Sequence, residues 1–244
     1  MAARRALARA PGEASTPVAT APRSRYNRSV TTRNMPAGPA GSPPVSCRGG
    51  IHMHRPRILA FAGSARTGSF NKMLVRIAGL GAERAGAELT YIDLRDFPMP
   101  IYDADLEAAE GLPPNALAFK KLLAEHDALL IASPENNSTV SALLKNALDW
   151  ASRSAPGEPA FSAFDKKVAG LLSASTGVLG GVRGLAQLRA LLENMRVMVI
   201  PDQKTIPKAK EAFGADGALV DDKAREAAER VGAALARVAA KLCD

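Results

Sequence analysis

Short apolar runs alternate along this chain with stretches of helical period, and that alternation restricts the fold more than any other feature. "RILAFAG" (57–63), "ELTYIDL" (88–94), "DALLIAS" (127–133), "KKVAGLLSAS" (166–175) and "RVMVI" (196–200) read as strands. The first is apolar on consecutive positions, as strands covered on both faces are. Between these runs the period becomes helical. From Ser69 onward, Met73, Leu74, Ile77, Ala78 and Gly81 share one face. "NALAFKKLLAEH" (115–126), "SALLKNALDWASR" (141–153) and "RGLAQLRALLENM" (183–195) follow, and 221–242 repeats Ala228, Val231, Leu235, Val238 and Leu242 at steps of three and four. Five strands alternating with about five helices predict an α/β fold, a doubly wound parallel sheet with helices on both faces. On the helix 141–153, Lys145, Asp149 and Arg153 are spaced as i,i+4 ion pairs opposite the apolar side.

Ligands of such sheets bind beyond the carboxyl ends of the strands, and three segments fall there. "GSARTGSFN" follows the first strand. Gly63 and Gly68 match the glycine frame of a triphosphate loop, but Ser69 and Phe70 stand where its lysine and magnesium-binding hydroxyl belong, so an NTPase is excluded. What remains is hydroxyls on Ser64, Thr67 and Ser69, the Arg66 guanidinium, the Asn71 amide and a helix N-terminus. These donors suit one phosphate monoester; the competing reading is an ordinary strand-to-helix turn in which Ser69 caps the helix. The three-glycine dinucleotide pattern is absent, which favours a mononucleotide. "SPENNST" after the third strand presents Glu135, Asn136, Asn137, Ser138 and Thr139, suited to the edge of a heterocycle or to a solvated loop. "STGVLGGVRG" after the fourth has glycines at 177, 180, 181 and 184, which either let backbone approach a ligand closely or make a flexible turn.

The net charge of +8 looks at first like a nucleic-acid signal. Residues 1–50 hold eight arginines against Glu13 alone, so nearly all of that charge lies in the N-terminal stretch and the remainder is close to neutral. Residues 1–54 lack a periodic apolar pattern and are expected to be disordered. They read as a start assigned upstream of Met53, as an organelle transit segment, or as a functional basic arm. The domain is expected over 55–244. Cys47 and Cys243 offer neither a disulfide framework nor a metal site. His52, His54 and His126 fall in none of the three loops, and His126 reads as a helix-end residue. No apolar stretch approaches the ~18 residues of a membrane span. A cytoplasmic protein is expected, organellar if the extension is a true transit peptide, with neither membrane nor nucleic acid as partner.

"GSARTGSFNKML", "SPENNSTVSALLKNALDW" and "SASTGVLGGVRGLAQLRALL" together resemble, in order and spacing, the signature segments of the NADPH-dependent FMN reductase family, which includes quinone, chromate and azo-dye reductases. The resemblance spans 56–201. It implies a flavodoxin-like five-stranded sheet of order 2-1-3-4-5. It also implies FMN as cofactor, NADPH or NADH as electron donor, a small-molecule acceptor, and a homodimer or homotetramer. Carried over by position, Ser64, Arg66, Ser69, Phe70 and Asn71 would surround the FMN phosphate. Pro134, Glu135, Asn136 and Asn137 would lie along the isoalloxazine, and Ser175, Thr176, Gly177, Gly180 and Gly181 would form the facing loop. This sequence departs from the pattern at Asn136, where the family has Tyr, at Ser141-Ala142 in place of Pro-Gly, and at Thr176 in place of Pro. Losing the tyrosine removes an aromatic surface beside the flavin.

The implied activity is an FMN-dependent NAD(P)H oxidoreductase acting on quinone-like or other small acceptors such as FMN, chromate or azo compounds. It requires no side-chain acid or base, because hydride transfer is the cofactors' own chemistry. The alternative is a flavodoxin-like electron carrier or redox-sensing module. The near-neutral domain speaks against it, since carriers dock through strongly charged faces. The helix with Trp150 and the seam of the last helix read equally well as core or as subunit interface.

Overall fold

The computed structural model describes residues 55–242. The expectations for residues 1–54 and for the last two residues lie outside the described residues. Among those described, five parallel strands, β1 (Arg57–Ala62), β2 (Glu88–Asp93), β3 (Ala128–Ala132), β4 (Val168–Ala174) and β5 (Met198–Ile206), form one sheet in the order β2-β1-β3-β4-β5. This is the flavodoxin-like arrangement. The helices are α1 (Phe70–Arg84), α2 (Ala104–Glu110), α3 (Pro114–Glu125), α4 (Ala142–Ser152), α5 (Val182–Asn194), α6 (Ala209–Ala212) and α7 (Asp222–Leu242).

The period of two along β1 and β3 divides the core into two layers. Ile58, Ala60, Leu130 and Leu172 face α1 and α7, while Leu59, Phe61, Leu129 and Leu171 face α3, α4 and α5. On the first side α1 and α7 cross at close range. A Cβ on Gly81 would lie 1.9 Å from the Glu229 carbonyl oxygen, and one on Gly232 would lie 1.9 Å from that of Ala78. Ala228, Val231 and Leu235 of the last helix's seam are therefore core within the chain, while Val238 is partly buried and Leu242 exposed. Trp150 is core as well, and is fully buried. Its indole N–H donates to the Pro100 carbonyl at 2.8 Å, and its ring meets Tyr102 edge-on at 5.0 Å.

Three features differ from the sequence expectation. The short helices α2 and α6 carry too few apolar residues to show a period; α2 starts because the Asp103 carboxylate accepts the N–H groups of Asp105 and Leu106. Strand β5 runs on through Pro201 to Ile206, with its register against β4 shifting between Ala169 and Leu171. An edge strand tolerates that proline and its polar successors, which the apolar run "RVMVI" did not announce. Finally, Lys145 pairs with Asp149 at 2.6 Å, but Arg153 sits in extended backbone just past α4 and reaches Glu107 at 2.9 Å. His126 ends α3, as expected. Its Nδ1 donates to the Leu122 carbonyl at 2.7 Å, and its Nε2 lies 2.7 Å from the Thr90 hydroxyl.

Candidate functional site

The carboxyl ends of β1, β3 and β4 surround a cleft of about 430 Å³ lined by Gly63 to Arg66, Ser69 to Asn71, Pro134 to Asn136, Ser141 to Leu143 and Ala174 to Thr176. It opens where the strand order reverses between β1 and β3, the position at which doubly wound sheets bind ligands.

The first loop delivers an uncapped helix. Ser69 occupies the N-cap of α1 with extended backbone, yet its hydroxyl makes no capping bond, and the first turn carries no acidic side chain. Without that bond, the first N–H groups of α1 and the positive end of its dipole stay available. Arg66 is exposed, with its guanidinium 5.1 Å over the Phe70 ring, and Phe70 stacks in turn on Phe213 at 5.3 Å. The Ser64 hydroxyl accepts the Arg66 N–H at 3.3 Å, and a Cβ added to Gly68 would meet nothing within 4 Å. Arg95 holds this loop from behind, donating through Nε to the Ala65 carbonyl at 2.8 Å and through Nη2 to the Thr67 hydroxyl at 3.0 Å. Asp93 accepts the Arg95 N–H at 3.0 Å and pairs with Lys72 at 2.5 Å. Burial pushes the Asp93 carboxyl up, but the Lys72 hydrogen bond, the Arg95 N–H and the two cations outweigh it and leave it below the usual range. Sequence reasoning missed Arg95, because 28 or more residues separate it from the groups it binds.

The second loop is a tight turn. Asn136 and Thr139 exchange backbone hydrogen bonds of 2.9 and 3.0 Å, and Asn137 and Ser138 between them have φ of 50° and 66°, the pattern of a type I′ turn. Pro134, Glu135 and Asn136 line the cleft, whereas Asn137 is exposed at the turn and does not. The Glu135 carboxylate is directed toward α5. Oε1 accepts from Arg183 at 2.9 and 3.1 Å, and Oε2 accepts the Gly184 N–H at 2.9 Å. It thereby caps α5, whose own N-cap, Gly181, has no side chain to do so. Burial raises the Glu135 carboxyl, but the Gly184 N–H and Arg183 together bring it below the usual range. Ser141 caps α4 by accepting the Leu144 N–H at 3.2 Å, and its hydroxyl donates to the Gly63 carbonyl at 2.6 Å.

In the third loop, Ser175 and Thr176 reach the cleft. Gly177, Gly180 and Gly181 border a smaller neighbouring cavity of about 210 Å³ instead. Gly180 and Gly181 have φ of 62° and 92°; a Cβ would lie 2.9 Å from the Pro207 nitrogen at the first and 1.9 Å from Ser173 Oγ at the second. The protein's own chain occupies the space that side chains at Gly180 and Gly181 would need.

The sequence pattern of NADPH-dependent FMN reductases matches residues 56–211. The chain belongs to the NADPH-dependent FMN reductase family. It is 38% identical over 171 residues to an NAD(P)H-dependent FMN reductase of Pseudomonas aeruginosa, covering 70% of this chain and 88% of that protein. It is 36% identical over 180 residues to an NADPH:quinone oxidoreductase of Arabidopsis thaliana, covering 72% and 87%. The structure of FerB, a flavoenzyme NAD(P)H:(acceptor) oxidoreductase of Paracoccus denitrificans, superposes with a TM-score of 0.64 at 27% identity, over 76% of this chain and 98% of that one. As an FMN reductase, the chain is an oxidoreductase that uses FMN with NAD(P)H as electron donor.

The residues present fit that cofactor. An FMN reductase must hold a dianionic phosphate beside a flat ring, and here an open helix N-terminus, two serines and an arginine without a carboxylate at hand among the described residues stand at one end of the cleft. Backbone from Pro134 to Asn136 and from Ala174 to Thr176 lines the remainder. Among the described residues, no cluster of His, Cys, Asp and Glu is arranged to hold a metal ion, and no helix is long and apolar enough to cross a membrane.

Proposed function

We propose that this cleft holds FMN with its phosphate at the α1 N-terminus, and that the enzyme reduces quinone-like acceptors, with FMN, chromate and azo compounds as further candidates. One observation carries the reading: α1 begins at the mouth of the cleft with neither a side-chain cap nor an acid in its first turn, and Ser64, Arg66 and Ser69 surround that end. When bound, FMN would supply the hydride and electron-transfer chemistry between the nicotinamide and the second substrate. The chain's own groups bind and orient. Ser64, Ser69 and the first N–H groups of α1 hold the phosphate, Arg66 adds a cation braced on Phe70, and Asn71 belongs to the same end. Pro134, Glu135 and Asn136 supply the wall along the ring, with Asn137 at the exposed turn beside them, and Ser175 and Thr176, continued outside the cleft by Gly177 and backed by Gly180 and Gly181, supply the facing one. No side chain serves as catalytic acid or base. With the small, polar Asn136 at the rim, the acceptor side of the cleft is open to solvent.

The same reading includes a cytoplasmic homodimer or homotetramer. Exposed Val178, Leu179 and Val182 beside the cleft, together with exposed Ile101 and Leu242, support the association, in place of Trp150 and the buried part of the α7 seam. Light scattering on the eluted protein tests it. The cofactor reading is tested by an anaerobic visible spectrum of the full chain with FMN, before and after NADPH. The expected result is bound flavin that bleaches on mixing. Flavin that binds and stays oxidised would instead point to the electron carrier.

A further inference from the structure

Asn71 is the second residue of α1, and by position it belongs with the phosphate-binding end of the cleft. Its side chain is buried and already engaged. Nδ2 donates to the Ala174 carbonyl at 2.9 Å, and Oδ1 accepts the Ala174 N–H at 2.9 Å. The sheet explains why. Ala132, the last residue of β3, pairs with Leu172 of β4, and the Ser133 N–H still reaches the Leu172 carbonyl at 2.9 Å. The next residue, Pro134, has no N–H, and the chain leaves the sheet. Ala174, two residues beyond Leu172, points its N–H and carbonyl to the same side, where no strand remains. A buried backbone pair left without partners is costly, and the Asn71 amide fills both positions as a strand would.

This bond spans two walls of the site. Asn71 lies in the helical turn whose N–H groups meet the phosphate in the proposed reading, and Ala174 immediately precedes Ser175 and Thr176 on the opposite side. We infer that Asn71 is a positioning residue and not a phosphate ligand: it sets the first loop against the third, and so acts on the ring and phosphate ends of the cleft alike. The inference rests on the assignment of FMN to this cleft.

Flavins with and without the phosphate separate the two roles. Dissociation constants for FMN and for riboflavin, from flavin fluorescence quenching well below the melting temperature, are compared for the full-length wild type, Asn71→Ala, Asn71→Ser and Arg66→Ala. A positioning role predicts that Asn71→Ala weakens both flavins by the same factor, about tenfold given two buried groups left unpaired. The ratio of the two constants then stays at its wild-type value, while Arg66→Ala weakens FMN alone. Amide hydrogen exchange at Ala174 is expected to accelerate in the same variant. Asn71→Ser is neutral, keeps one polar atom, and carries the comparison if Asn71→Ala does not fold. One N–H of Nδ2 is not used by Ala174, so phosphate contact is the competing outcome; a selective loss of FMN affinity in the Asn71 variants would overturn the inference. So would a lowered melting temperature with both affinities intact, which would make the bond purely structural. If the wild type bound neither flavin, the FMN assignment would fall, and exchange at Ala174 would still judge the tie: faster in Asn71→Ala supports it, unchanged refutes it.

Discussion

The loop after β1 and the loop after β4 look alike in sequence, since both combine glycines with small hydroxyl residues at a strand end, yet Gly68 in the first and Gly180 and Gly181 in the third are used in opposite ways. Around Gly68 there is open space, and its neighbours Ser64 and Arg66 face the cleft. Gly180 and Gly181 are buried in left-handed backbone against Pro207 and Ser173. The contrast lies in these glycines: Gly68 meets open space, while Gly180 and Gly181 are packed against the protein, although Ser175 and Thr176 of the same third loop reach the cleft. A glycine in a ligand-binding loop has no single meaning; what stands opposite its missing side chain decides.

Substitutions at the two kinds of glycine should split accordingly. The largest effect is expected for Gly181→Ala, where the new methyl meets Ser173 Oγ in a conformation L-residues disfavour. A loss of about 2–4 kcal/mol in denaturant unfolding is expected, and a neutral result would dissolve the contrast. Glu135→Ala comes next, because it removes the cap of α5 and its ion pair with Arg183 and leaves the Gly184 N–H unpaired. About 1–2 kcal/mol is expected by the same measurement. Glu135 also gives a pH signature. Its carboxyl titrates lower in the folded protein than in the unfolded chain, so its contribution is full above the ordinary glutamate range and is lost as the pH falls through the folded value. The melting-temperature gap between wild type and Glu135→Gln should therefore be widest near neutrality and close in acid; a gap that widens in acid would contradict the assigned direction.

Smaller effects on stability sharpen the other side of the comparison. Arg66→Ala removes an exposed cation and is expected to leave the melting temperature unchanged, while weakening FMN roughly tenfold in a titration, as loss of one charge-assisted hydrogen bond does. That loss should shrink as salt is added. Gly68→Ala should change stability least, within about 0.5 kcal/mol. A destabilisation as large as that of Gly181→Ala would show that the two loops are built alike after all.

The same contrast explains what could be read from residues and what could not. The strands were legible because β1, β3 and β4 are covered on both faces and so carry unbroken apolar runs, and α1, α4, α5 and α7 because each buries a stripe of fixed period. The second half of β5 was not, since an edge strand need not be apolar, and α2 was not, since a helix that buries nothing shows no period. In the site, the start of α1 beside its serines and arginine follows from local order along the chain, while the absence of a capping bond at Ser69 came only from the structure. The roles of Arg95, Glu135 and Asn71 do not. Each is set by a partner 28 to 103 residues away.

Local sequence determined the order and kind of the five strands and the five longer helices and, through the motifs at three strand ends, the family and its cofactor. Only the tertiary structure decided which groups remain free to meet that cofactor. Hydrogen-bonding capacity is finite, and Asn71, Glu135 and Arg95 spend theirs on backbone groups of neighbouring loops that folding alone brings within reach.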